Sequence, residues 1–192
     1  MAEPVLIACL GNPGRAYEQT RHNVGFMVAD ELSRRLGIRF RPGRGDYEHA
    51  TGTSGGRTVH LIKPVTFMNE SGRAVADALT HAGLSAGDLL VVLDDFQIPL
   101  GALRLRPKGS DGGHHGLGSV LATFGTEEIP RLRCGIGGAA LPAGEGKRDF
   151  VLSPFEPEEL PAARAMVARA ADAAASFAAS GLDRAMTDFN TQ

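Results

Sequence analysis

Residues Val5–Gly14 read VLIACLGNPG. The apolar run Val5 to Leu10 has the length of a buried strand, and Gly11-Asn12-Pro13-Gly14 ends it abruptly. A helix follows. Asn23 is placed to cap it, Val24, Met27, Val28, Glu31, Leu32 and Leu36 form a largely apolar stripe, and Gly37 stops it. Further out, residues 38–63 read as short strands between glycine-rich turns, with Val59 to Ile62 the clearest. Ser71 is placed to cap a helix ending near His81, with Gly83 beyond it. Leu89–Leu93 is a second buried strand, closed by Asp94-Asp95, and Leu103–Arg106 alternates as a strand does. A polar loop, residues 109–116, leads into a helix through Leu117, Val120, Leu121 and Phe124. Residues 131–136 form another strand. An amphipathic helix from Glu156 to about Ala179 and a short helical tail complete the chain. Strands interleaved with helices imply an α/β fold: one globular domain over residues 1–192, a mixed β-sheet with helices on both faces.

Composition narrows the classes. Of 192 residues, 43% are hydrophobic and 22% charged, enough apolar material for one core and too much for a disordered chain. A membrane span needs about 20 apolar residues, far more than the first run supplies. No basic segment precedes that run, so a secretory signal is not expected. Cys9 and Cys134 both sit in strand-like apolar runs and read as buried thiols of a reducing cytoplasm. The net charge of −2 hides an asymmetry. Residues 1–148 carry 17 Lys and Arg against 15 Asp and Glu, while residues 149–192 carry 3 against 7. The body is therefore slightly basic, and separated signs let one face attract a polyanion. Arginine outnumbers lysine 17 to 3, which suits phosphate contacts.

Three polar loops follow apolar strands: 11–23, 94–98 and 109–116. Ligands of open α/β sheets gather at the carboxyl ends of strands, so Asn12, His22, Asp94 and His115 are candidates for one site. A histidine beside a carboxylate is a general base whose tautomer the carboxylate fixes. With no obvious Ser or Cys nucleophile, a His–Asp pair points to activated water and an ester or other acyl bond. No P-loop sequence is present, and no GxGxxG follows the first strand. Neither HExxH nor paired CxxC occurs, and adjacent His114-His115 would point in different directions, so no metal and no cofactor is expected.

At these residues the sequence resembles a known family. LGNPGRAYEQTRHNVGF (Leu10–Phe26), KPVTFMNESG (Lys63–Gly72), DDFQIPLG (Asp94–Gly101), KGSDGGHHGL (Lys108–Leu117) and RLRCGIG (Arg131–Gly137) occur in the order found in bacterial peptidyl-tRNA hydrolases. The resemblance runs from Val5 to about Phe155. It implies a cytoplasmic, monomeric, metal-independent enzyme that cleaves the ester between a nascent peptide and the tRNA 3′ ribose. By the same resemblance His22 is the catalytic base, Asp94 the acid that supports it, and Asn69 the amide that positions substrate and water. Asn12 matches the residue that senses the blocked α-amino group. Tyr17, Phe67 and Met68 match residues lining the cleft, and Arg106 and Arg133 match cations that contact tRNA phosphate. A single-stranded 3′ end is recognised by stacking and phosphate contacts.

The sequence departs from the family pattern at three positions. Leu93 and Gln97 stand where the family commonly has a histidine and a carboxylate, and His115 stands where it has an asparagine. The larger imidazole of His115 is expected to crowd the cleft and add an ionisation beside His22. Two further readings share the motifs. One is a non-catalytic RNA-binding member of the fold, resembling plant organellar intron-splicing factors. The other is a hydrolase of some other N-blocked amino-acid ester.

Overall fold

Four strands lie parallel at the centre of the sheet because each returns through a helix. These are β4 (Arg57–Pro64), β1 (Val5–Cys9), β5 (Leu89–Pro99) and β7 (Arg131–Gly137). The computed structural model describes residues 3–138 and 146–190. Antiparallel partners complete a seven-stranded mixed sheet, with β3 (Tyr47–Ser54) and β2 (Arg41–Pro42) beyond β4 and β6 (Leu103–Arg106) beyond β7.

Alternation along β1 sends its side chains to two cores. Val5, Ile7 and Cys9 join residues of α1 (Val24–Leu36), α5 (Leu160–Ser180) and α6 (Leu182–Phe189). Leu6, Ala8 and Leu10 join residues of α2 (Ser71–Ala82) and α3 (His115–Phe124) on the other face. Helices therefore cover both faces, as the sequence implied. Cys9 and Cys134 are buried free thiols.

Some boundaries differ from the sequence reading. Asn23 precedes α1 as expected but makes no capping bond, because its amide is used elsewhere in the site. Ser71 is the first residue of α2 rather than its cap, and its hydroxyl donates to Met68 O. Strand β5 runs past Asp95 to Pro99, since Asp95 and Pro99 still pair with Gly135 and Gly137 of β7 across an irregular step. Helix α5 begins at Leu160, not Glu156. Pro161 has no N–H with which to continue a helix begun upstream, and it suits a first turn. A short helix, α4 (Gly146–Val151), was not anticipated.

Candidate active site

The parallel strands aim their carboxyl ends at one edge of the sheet, and three loops meet there. A one-turn 3₁₀ helix, Arg21–Asn23, brings His22 in just ahead of α1. Helix α1 can approach the sheet this closely because Gly25 has no side chain. A Cβ there would lie 2.2 Å from Leu10 O and 2.9 Å from Val92 O. The other side of the 3₁₀ turn is held by Arg21. Its buried guanidinium lies 4.5 Å from the Phe150 ring centroid and 4.9 Å from that of Phe155, and it pairs with Glu159 at 2.7 Å. The Arg21 backbone N–H donates to Ser153 O.

His22 Nδ1 lies 2.8 Å from Asp94 Oδ1, and His114 Nε2 lies 3.0 Å from the same oxygen. Asp94 is 2% exposed, so its charge depends on these donors. Burial alone would raise the Asp94 carboxyl. The charges of His22 and His114, with their hydrogen bonds, overcome that and hold it well below the usual carboxylate range. Burial likewise pulls the His22 imidazole down, but the Asp94 charge and hydrogen bond outweigh it and leave His22 above its ordinary 6.5. An ionised Asp94 only accepts, so His22 carries a proton on Nδ1 and keeps Nε2 to receive one.

The position of His114 is set by α3, which it caps. Its Nδ1 accepts from Leu117 N–H at 3.1 Å, which leaves the ring proton on Nε2, facing Asp94. The His22 and His114 ring centroids are 4.8 Å apart. Among the described residues, His22, Asp94 and His114 form a group whose potential metal-ligand atoms all lie within 4.8 Å. A metal on His114 Nε2 would push that ring's proton to Nδ1, against the Leu117 N–H. The arrangement is built as a hydrogen-bond network rather than a ligand set.

Asn12 is fixed on three sides. Its backbone N–H donates to Asn23 Oδ1 at 2.8 Å, its carbonyl accepts from Asn23 Nδ2 at 2.9 Å, and its Oδ1 accepts from Met68 N–H at 3.0 Å. That last bond fixes which way the amide points and leaves Nδ2, which has no protein hydrogen bond among the described residues, free to donate. Met68 is buried under α3, where Gly116 makes room for it, since a Cβ on Gly116 would sit 2.5 Å from Met68 Sδ. Phe67 and Asn69, on either side, are exposed, and Phe67 is 63% exposed. Tyr17 is half-buried in the loop after β1.

Arg106 and Arg133 share one face of the β6–β7 pair. The register sets Arg104 opposite Arg133 and Arg106 opposite Arg131, while Leu103, Leu105, Leu132 and Cys134 turn to the core. The four arginines are not equivalent. Arg106 is exposed. Arg133 Nε lies 2.5 Å from Asp95 Oδ2, an ion-pair contact without hydrogen-bond alignment. Arg131 is 2% exposed and donates to the carbonyls of Gly109, Ser110, Glu127 and Ile129, stapling the 109–113 loop to the segment before β7.

Of the family departures, Leu93 is buried in the core beneath α2 and α3. Gln97 donates to Gly112 O at 3.1 Å, a bond no carboxylate could make. His115 opens α3 and is exposed. The histidine packed against His22 is His114. Sequence reasoning gave His115 the site position that His114 holds, read Asn23 only as a helix cap, and passed over Arg21. The signal for His114 was present, since adjacent histidines before a helix face different ways and one must turn inward.

A family model described as Peptidyl-tRNA hydrolase matches residues 6–192. A peptidyl-tRNA hydrolase of Carboxydothermus hydrogenoformans is 46% identical over 185 residues, covering 96% of this chain and 97% of that protein. One of Salinibacter ruber is 46% identical over 191 residues, covering 99% and 100%. The crystal structure of peptidyl-tRNA hydrolase from Acinetobacter baumannii superposes with a TM-score of 0.90 at 29% identity, covering 98% of this chain and 95% of that one. The strand-end site and these matches together assign the chain to the peptidyl-tRNA hydrolase family.

Proposed function

We propose that the protein hydrolyses the ester between a nascent peptide, or another N-blocked aminoacyl group, and the 3′ ribose of tRNA. The observation that carries the reading is the His22–Asp94 pair, at 2.8 Å, at the carboxyl ends of the parallel strands. His22 Nε2 takes a proton from water as the water oxygen attacks the ester carbonyl, and Asp94 stabilises the imidazolium. The tetrahedral adduct collapses, the acyl C–O bond to ribose breaks, and the proton on His22 passes to the departing ribose oxygen. Asn69 positions water and substrate. Asn12, whose free Nδ2 can donate, suits the carbonyl of a blocked amino group better than a free ammonium, which can only donate. Phe67 and Tyr17 offer surface for the terminal base and the peptide, the buried Met68 backs them while its N–H holds Asn12, and His115, exposed at the start of α3, is a further contact for the substrate.

Arg106 and Arg133 are the proposed phosphate contacts. The partner is the tRNA acceptor end with its peptide, and the protein acts as a monomer in the cytoplasm. Its unbridged buried thiols fit a reducing compartment. Among the described residues no helix is long and apolar enough to cross a membrane.

The test is release of a labelled N-acylated amino acid from intact tRNA, compared with a short aminoacyl-nucleotide ester and with unblocked aminoacyl-tRNA. Fast release from the first alone is the expected result. Equal rates on the short ester would indicate a general hydrolase of N-blocked esters. Binding without release would indicate the non-catalytic RNA-binding member.

A further inference from the structure

A second pair of histidines lies outside this site. The β3–β4 register places His49 opposite Ile62 and Thr51 opposite His60, so His49 and His60 are diagonal neighbours on one face. His49 Nε2 is 3.2 Å from His60 Nδ1, and Thr51 Oγ1 is 3.1 Å from His49 Nε2. The two rings are within 13° of parallel with centroids 5.4 Å apart, so they meet nitrogen to nitrogen rather than face to face. Both are half-buried and open to solvent on one side.

We propose that His49 and His60 form a binding site for a late first-row divalent cation such as Zn²⁺, held by two imidazoles with water completing the shell. A zinc ion sits about 2.0–2.1 Å from each imidazole nitrogen, which sets two tetrahedral ligands about 3.3–3.4 Å apart. The observed 3.2 Å is close to that edge; the nitrogens face each other nearly head-on, so each ring must turn to aim its lone pair at a metal lying beside the line between them.

Only one proton can lie between the two facing nitrogens, and the metal takes its place. That proton moves to the outer nitrogen of its own ring. His49 Nδ1 and His60 Nε2 hold no protein hydrogen bond among the described residues, so either ring can change tautomer freely. This is the freedom that His114 lacks. Burial lowers both imidazoles from their ordinary value, and His49 lowers His60 further, which favours the neutral form that metals require. Arg41, cross-strand from His49, is exposed, where solvent screens its charge. Imidazole ligands suit zinc, copper and nickel better than magnesium or calcium.

The experiment is a calorimetric titration of the tag-free full-length protein with Zn²⁺, beside the melting temperature and the hydrolysis rate. One equivalent is expected to bind and raise the melting temperature, because it ties β3 to β4 only in the folded chain. His49→Gln and His60→Gln are each expected to weaken that equivalent at least ten-fold, to remove the thermal shift, and to leave metal-free hydrolysis unchanged. Absence of Zn²⁺ binding overturns the proposal, as does binding that survives either substitution. Binding that disappears with His114→Ala and inhibits hydrolysis would place the metal at the strand-end site, and overturns it equally.

Discussion

His22 and His114 donate to the same atom, Asp94 Oδ1, from 2.8 and 3.0 Å. One buried carboxylate oxygen therefore fixes the tautomer of the base and anchors the first turn of α3, which His114 caps. The chemistry and the local fold are coupled through it, and the two can be separated by substitution.

His22→Ala is expected to remove nearly all turnover while leaving tRNA binding largely intact. General-base catalysis is worth about 10²–10⁴-fold, whereas affinity for tRNA comes from separate cationic contacts. Single-turnover hydrolysis and filter binding check the two halves. Hydrolysis at the parent rate would mean that another group is the base.

Asp94→Asn isolates charge from geometry, because an amide oxygen can still accept from both imidazoles. Turnover is expected to fall. Burial lowers the His22 imidazole and the Asp94 charge raises it above 6.5, so removing the charge leaves burial unopposed. The acidic limb of the rate profile then moves to lower pH. An unchanged limb and rate would count against the pair.

His114→Ala has the opposite sign. Asp94 loses a competing hydrogen bond and leans more fully on His22, so the acidic limb is expected to move to higher pH. The helix loses its cap, worth about 0.5–2 kcal/mol, and the melting temperature falls. A shift in the same direction as Asp94→Asn would show that His114 does not compete for the carboxylate.

Arg106→Ala and Arg133→Ala are each expected to weaken tRNA binding and to reduce its dependence on log salt by about one counterion, with little effect on small esters. Arg131→Met, on the same sheet face, is expected to behave differently. It orphans backbone carbonyls and lowers the melting temperature instead. Equal losses on small and full-length substrates would make Arg106 and Arg133 structural.

His115→Asn is expected to leave activity equal or higher, since the exposed ring stands outside the Asp94 network. A large loss in steady-state turnover would show that this imidazole has been recruited into the reaction.

The sequence by itself determined the α/β order, the two buried strands Val5–Leu10 and Leu89–Leu93 to within a few residues, and the helix from Val24 to Leu36. Apolar period and glycine stops are local properties of the chain, and they survive into the fold. The motifs around Asn12, His22, Asn69 and Asp94 also named the family, because side-chain identity at fixed spacing is already present in one dimension. Only the tertiary structure decided which groups share an atom. His114 and His115 are adjacent letters, and nothing local tells that the first caps α3 and reaches Asp94 while the second faces solvent. Arg131 and Arg133 read alike, yet burial makes one a staple for four carbonyls and the Asp95 ion pair holds the other at the surface. Asn23 looked like a helix cap until folding set it against Asn12, eleven residues away. Burial and hydrogen-bond partnership arise from packing between segments distant in sequence, so each of these roles became fixed only when the loops closed over the strand ends.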